Sequence, residues 1–117
     1  MMLGPYPALL RDWHDGDTGH FDIDLGFSNI ECAYDLDGKP RLSARIYGIN
    51  APELSTDAGK VARDYANQLC PPGTRVTVVS HGWDKYGGRW DATVTLPDGR
   101  DFAQAMLDAG QAVVYLP

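Results

Sequence analysis

Arg45-Ile-Tyr-Gly-Ile-Asn-Ala-Pro-Glu53 is the stretch that decides how this chain is interpreted. It is a short β-type run that ends in a proline-stiffened turn, with an arginine at its start and a carboxylate at its end. Asp15-Gly-Asp-Thr18 precedes it, and Asp84-Lys-Tyr-Gly-Gly-Arg89 follows it. Arginine binds phosphate oxygens through paired hydrogen bonds, carboxylates hold Ca²⁺ or Mg²⁺, and a further carboxylate can deprotonate water. Together the three blocks contain the groups that phosphodiester chemistry needs.

These blocks, in this order and at domain-scale spacing, resemble those of the staphylococcal nuclease (thermonuclease) family. The resemblance extends from about Leu9 to Tyr115, nearly the whole chain, and a helix-like segment lies between the second and third blocks. It implies a barrel of the OB type that hydrolyses phosphodiester bonds of DNA or RNA with the help of Ca²⁺. Because a small barrel cleft cannot easily reach into a stacked duplex, a single-stranded or frayed substrate is favoured.

The resemblance implies a metal site and a general base. Asp17 corresponds to the first metal-ligating aspartate, and Ala51 stands where a backbone carbonyl ligates the metal. Asn50 occupies the place where the family usually has a second aspartate. An amide oxygen can still bind Ca²⁺ but adds no formal charge, so we expect weak metal binding. Glu53 corresponds to the base that positions and activates the attacking water.

The resemblance also implies a pair of catalytic arginines. Arg45 corresponds to the arginine that contacts the scissile phosphate and stabilises its developing charge. Arg89 is displaced by one residue, because Gly88 stands where the family usually has the arginine. In a regular strand such a slip sends the side chain to the opposite face, whereas a β-bulge at Gly87 and Gly88 restores its direction.

Substrate contacts are implied at two further places. Lys85 and Tyr86 correspond to residues that hold a nucleotide's terminal phosphate and sugar region. Tyr115 is placed either to stack on a base or to pack in the core. The family normally continues into a third helix, whereas this chain stops at Pro117. We therefore expect the surface that this helix covers to be open to homo-oligomer formation.

Each residue also has a structural interpretation. Asp17 and Asn50 can be turn residues that bond their own backbone, and Glu53 can be a solvated loop charge. Arg45 also fits a structural ion pair. The alternative function is therefore a weakly active or inactive barrel that binds nucleic acid or a protein, and a third option is an assembly protein. Asn50, the displaced Arg89 and the acidic charge favour a binding module, whereas Asp17, Arg45 and Glu53 together favour an enzyme.

The composition is that of an ordinary globular protein. The 117 residues form one domain, 1–117, with 44% hydrophobic and 22% charged residues, which excludes a disordered chain. No apolar run is long enough to span a bilayer, and the N-terminus lacks the features of a secretory signal, so a cytoplasmic location is expected. Cys32 and Cys70 are expected to be reduced.

The net charge of −6 is unusual for a protein that meets nucleic acid. The first 40 residues contain eight acids against two bases, a balance of −6, and the remaining residues contain eight of each. A bound dication would reverse the local field near Asp17. Because no basic stripe is present, tight non-specific binding to duplex DNA is not expected.

Hydrophobic periodicity predicts five strands and two helices. The strands are expected at about 8–14, 18–27, 42–49, 75–80 and 90–96, and the helices at about 55–69 and 101–109. Alternation in the second strand places Phe21, Ile23 and Leu25 on one face, and Val61 belongs to the apolar stripe of the first helix. Ser55 or Thr56 is expected to cap this helix. This order suggests an α+β, mainly β, Greek-key barrel with one helix after strand 3 and one C-terminal helix. The order also allows other α+β barrels, and the resemblance implies the OB type.

Overall fold

The computed structural model describes residues 2–83 and 88–115. Within them the chain forms eight strands and two helices. In chain order these are β1 (Leu3–Trp13), β2 (Thr18–Asp24), β3 (Ile30–Glu31), β4 (Ser43–Ile46), β5 (Ile49–Asn50), α1 (Asp57–Leu69), β6 (Arg75–Trp83), β7 (Trp90–Thr95), α2 (Phe102–Asp108) and β8 (Val113–Val114).

Five of the strands close into a barrel. They pair in the order β1-β6-β7-β4-β2, and β1 also pairs with β2 to complete the ring. The β4–β7 pair is parallel, and the other pairs of the barrel are antiparallel. The short β3 extends the sheet beyond β2, while β5 and β8 form a separate two-stranded ladder. This architecture confirms the mainly β OB-type barrel with two helices.

Every second side chain along the strands points inward and fills the interior of the barrel. On β2 the side chains of Phe21 and Ile23 are buried in the core, as the sequence pattern predicts, whereas Leu25 lies just beyond the strand and is 44% exposed. One layer of the core lies between the barrel and α2, where the rings of Trp13 and Phe102 stack 4.4 Å apart. The indole N–H of Trp13 donates to the carbonyl of Cys70, at the end of α1. The helices are thereby fixed against the barrel.

The first helix begins where the sequence predicts. Thr56 is its N-cap, and its hydroxyl accepts a hydrogen bond from the N–H of Gly59 at 2.9 Å. Its buried residues are Gly59, Ala62 and Ala66. Val61, which the sequence pattern places on the apolar stripe, is instead 54% exposed, so the packed face is narrower than predicted. Because the buried residues of α1 are small, the helix can pack closely against the rest of the protein.

The remaining differences lie where pairing depends on distant residues. The first strand starts five residues earlier than predicted, because residues 3–9 pair with β6. Strands β3 and β8 are not predicted, since two residues carry no period. Cys32 is exposed, Cys70 is buried, and the structure pairs neither in a disulfide. In the part of the chain described, neither helix has the length and apolar character to cross a membrane.

Candidate active site

The turn between β1 and β2 carries Asp17. The carboxylate of Asp15 accepts a hydrogen bond from the backbone N–H of Asp17 at 3.0 Å, so Asp15 forms the turn. Gly16 lies so close to its neighbours that an added Cβ would stand 2.9 Å from the Cβ of Ala51. The absence of a side chain at Gly16 therefore allows this turn to pack against the loop that follows β5.

The Asp17 carboxylate is held on both sides. One oxygen accepts from the hydroxyl of Thr18 at 3.1 Å, and the other accepts from the N–H of Ala51 at 2.7 Å. The residue is only 6% exposed. Burial raises the pKa of Asp17 to about 6, and the Asp15 carboxyl acts in the same direction. The Ala51 hydrogen bond and the charge of Arg45 lower that pKa, so cationic neighbours favour the ionised form.

Arg45 lies on the outer face of the barrel, next to Thr18. Ala44 and Ile46 on either side of it are buried in the core, so the arginine side chain points the other way. It is nevertheless only 9% exposed, because the ring of Tyr115 covers it with the guanidinium carbon 4.8 Å from the ring centroid. Its Nη2 donates to the side-chain oxygen of Asn50 at 3.2 Å. These contacts hold the guanidinium in one orientation.

Arg89, which directly precedes β7, reaches the same place. Its Nη1 donates to the hydroxyl oxygen of Thr18 at 3.4 Å, and Thr18 in turn donates to Asp17. Gly88 has φ of +76°, a conformation that glycine adopts without steric cost. Gly87 lies outside the described residues, and the register shift between β6 and β7 lies between Ser80 and Gly82. The guanidinium therefore lies beside Asp17 despite its displacement in sequence.

Glu53 lies in the loop that leads into α1. Its carbonyl accepts hydrogen bonds from the N–H and the hydroxyl of Thr56, at 3.0 and 2.7 Å. A Cβ added to Gly59 would stand 1.8 Å from that carbonyl oxygen, so the helix and the loop are in direct contact. The side chain of Glu53 is exposed, and no hydrogen bond or ion pair within the described residues engages its carboxylate. The loop is thus fixed while the carboxylate faces water.

The structure brings together only part of the predicted site. Asp17, Arg45, Asn50 and Ala51 are joined by hydrogen bonds or charge, and Arg89 joins them through a hydroxyl. Tyr115 covers an arginine and has no free ring face on that side. Lys85 and Tyr86 lie outside the described residues.

The oxygen donors fit a hard cation in kind but are few. A buried carboxylate, an amide oxygen and a backbone carbonyl are the ligand types that Ca²⁺ prefers. Among the described residues, no three acidic, histidine or cysteine side chains are grouped as a metal cluster would require. The amide oxygen of Asn50 also accepts from Arg45, so a cation there competes with a guanidinium. These features suit weak binding.

Sequence reasoning missed the residue that connects the arrangement. Thr18 bridges Arg89 to Asp17, and it is paired across the sheet with Arg45. The position of Thr18 in the Asp-Gly-Asp-Thr block was the feature of the sequence that could have indicated this role. A second hydrogen-bond network lies next to Thr18. In this network His20 contacts Asp12 at 2.6 Å and Ser43 at 3.1 Å. The network joins β1, β2 and β4 directly beside the site.

The arrangement can bind a phosphate. Two guanidinium groups, those of Arg45 and Arg89, lie beside the Asp17–Thr18 unit. Guanidinium groups bind phosphate oxygens through planar, charge-assisted hydrogen bonds, which are strongest where water is excluded.

Comparison with known proteins agrees with this chemistry. Residues 43–116 match the family of staphylococcal nuclease homologues, a span that includes every predicted site residue except Asp17. An uncharacterized endonuclease of Escherichia coli O157:H7 is 36% identical over 122 aligned residues, which cover 98% of this chain and 69% of that protein. An uncharacterized endonuclease of Escherichia coli matches with the same identity and the same coverage.

Proposed function

Since the chain belongs to the family of staphylococcal nuclease homologues, we propose that it is a nuclease that hydrolyses phosphodiester bonds in DNA or RNA with the help of Ca²⁺. The observation that supports this proposal best is the placement of Arg45 and Arg89 beside the buried Asp17–Thr18 unit. The names of the relatives also support an endonuclease.

The two arginines clamp the scissile phosphate. Arg45 is oriented by the ring of Tyr115 and by Asn50 before substrate arrives, so little reorganisation is needed when charge develops on the phosphate oxygens. Arg89 donates to a neutral hydroxyl, a weak partner that a phosphate oxygen can replace. Such a clamp stabilises the transition state more than the ground state, because the oxygens gain charge along the reaction.

Glu53 takes a proton from the attacking water. Its carboxylate is exposed and has no hydrogen bond or ion pair in the part of the chain that the structure describes, so its lone pairs are available to a water molecule. The backbone contacts with Thr56 and Gly59 fix the start of the side chain. Asp17, Asn50 and the carbonyl of Ala51 would hold the Ca²⁺ ion. When bound, that ion supplies Lewis-acid polarisation of a phosphate oxygen.

Asn50→Asp is expected to tighten Ca²⁺ binding by about tenfold or more. The added charge stands near the cation, where a unit charge at ~4 Å contributes up to about 4 kcal/mol. An ion pair with Arg45 offsets part of this gain, because the Asn50 oxygen already contacts that guanidinium. Titration calorimetry of both proteins with Ca²⁺ measures the change. Equal affinities, or no heat in either protein, would remove Asn50 from the metal site.

Arg89→Ala is expected to lower the cleavage rate by about 10- to 100-fold, the range for one hydrogen bond to a charged group. Stability should change little, because the only hydrogen bond of Arg89 within the described residues is a long one to Thr18. Cleavage of labelled single-stranded DNA and thermal unfolding are measured together. Arg100→Ala is the control, since its ion pair with Asp98 is exposed. Equal loss in both variants would contradict a phosphate-binding role.

One observation favours a second candidate, a nucleic-acid-binding module with little activity. Asn50 contributes an uncharged amide oxygen to the proposed metal site, where an aspartate would contribute a carboxylate. Incubation of single-stranded DNA with the protein in millimolar Ca²⁺, and again with chelator, separates the candidates. Cleavage that the chelator abolishes supports the nuclease, and retention of DNA without cleavage supports the module.

A further inference from the structure

Two aromatic rings form a rigid stack outside the site described above. The rings of Tyr47 and His81 lie 4.2 Å apart and within 6° of parallel. Nε2 of His81 lies 2.7 Å from the hydroxyl of Thr93, which fixes the imidazole. The backbone N–H of Tyr47 donates to the carbonyl of Ala92 at 2.8 Å, which fixes the start of the tyrosine. The stack is therefore held at both ends by β7.

The stack lies on the same outer face as the phosphate clamp. Ile46 points into the core, so Arg45 and Tyr47 on either side of it point outward. Tyr47 directly follows the last residue of β4 and stands two residues from Arg45 along the chain. The turn after Tyr47 is tied to the clamp as well, because the N–H of Tyr115 donates to the carbonyl of Gly48. The aromatic stack therefore lies next to the phosphate clamp on the barrel surface.

The stack has the character of a base-binding surface. Tyr47 is 36% exposed, so its packing on His81 leaves part of the ring to solvent. Burial lowers the pKa of His81, which keeps the imidazole neutral at neutral pH. A neutral pair of rings provides no attraction for a phosphate. It does provide a π surface, and single-strand binding proteins pair such surfaces with cationic groups that hold the backbone.

We propose that Tyr47, supported by His81, stacks on a nucleobase of the substrate strand next to the phosphate that Arg45 holds. This inference rests on the proposed nuclease function and adds a binding subsite to it. A base inside a duplex already stacks on both neighbours and cannot lie on Tyr47, so the platform selects an unpaired strand. Stacking of this kind tolerates every base, because each has a π face.

The platform is tested by binding in the presence of chelator, where cleavage does not interfere. Fluorescence anisotropy gives the Kd of a labelled oligothymidylate for the wild type, Tyr47→Ala and Tyr47→Phe. We expect Tyr47→Ala to weaken binding about 5- to 100-fold, the range for one stacked base, and Tyr47→Phe to bind as the wild type does. Phe27→Ala is the control, because Phe27 is a fully exposed aromatic residue on another turn.

A second set of oligonucleotides identifies the base. Each carries one abasic site, moved stepwise along the strand, and the abasic site at the platform should abolish the difference between wild type and Tyr47→Ala. A Tyr47→Ala penalty that persists at every abasic position would overturn stacking, as would unchanged binding by this variant. If the wild type cleaves DNA but Tyr47→Ala binds normally, only the platform fails. If the wild type neither binds nor cleaves, the proposed function fails with it.

Discussion

Replacement of Glu53 by glutamine is expected to reduce phosphodiester cleavage by about 10²- to 10⁴-fold, the usual effect of losing a general base. Glutamine keeps the size and the loop contacts of the residue but cannot accept a proton at neutral pH. The Glu53 carboxylate has no hydrogen bond or ion pair within the described residues, so its loss should leave thermal stability nearly unchanged. The rate is measured on labelled single-stranded DNA with saturating Ca²⁺.

The chain supplies a matched control for this experiment. Its only other glutamate is Glu31, which forms an exposed ion pair with Arg41 at 3.2 Å. Glu31→Gln should cleave at the wild-type rate, because exposed pairs contribute little to stability. If Glu53→Gln also cleaved at the wild-type rate, Glu53 would have no part in proton transfer, and another group would have to activate the water.

Gly59→Ala is expected to destabilise the protein by about 1–3 kcal/mol, the range for overpacking a well-packed position. Alanine normally stabilises a helix relative to glycine by about 1 kcal/mol, so the opposite sign is diagnostic. The added methyl would stand 1.8 Å from the carbonyl oxygen of Glu53 and 2.4 Å from its carbonyl carbon. Backbone atoms cannot yield as a flexible side chain does, so the Glu53 loop must move.

The same substitution should lower cleavage, because movement of this loop displaces the proposed base. Thermal unfolding and the cleavage rate are measured on Gly59→Ala and on Lys60→Ala, the exposed neighbour on the same helix. We expect a lower melting temperature and a lower rate for Gly59→Ala alone. A Gly59→Ala protein as stable as the wild type would show that helix α1 and the loop can separate without cost.

The parts of the fold that follow from local pattern could be predicted. Alternation placed Phe21 and Ile23 in the core, and the two candidate caps, Ser55 and Thr56, located the start of the first helix. The ladder between β5 and β8 could not be predicted, because two-residue strands have no period and their pairing is set by distant residues. For the same reason, the position of the Tyr115 ring over Arg45, rather than inside the barrel, could not be predicted.

The candidate site, like the fold, could be predicted from the sequence only in part. Short motifs indicated the residue types and named Asp17, Arg45 and Arg89, which the fold brings close together. The stack of Tyr47 on His81 depends on a register shift in β6 and on the outward direction of both rings, and neither can be obtained from composition or spacing. The roles of the site residues stay predictions until the variants are measured.

The short β5–β8 ladder connects the end of the described chain to the Arg45 guanidinium. The ladder consists of two residue pairs, Ile49 with Val114 and Asn50 with Val113, and the next residue covers the Arg45 guanidinium. So small a unit opens at low free energy, and opening removes the cover from the guanidinium. Anything bound to that guanidinium in its closed orientation must stabilise the ladder by the same amount that the ladder strengthens the binding. A ligand of Arg45 and the pairing of β5 with β8 are therefore expected to stabilise each other.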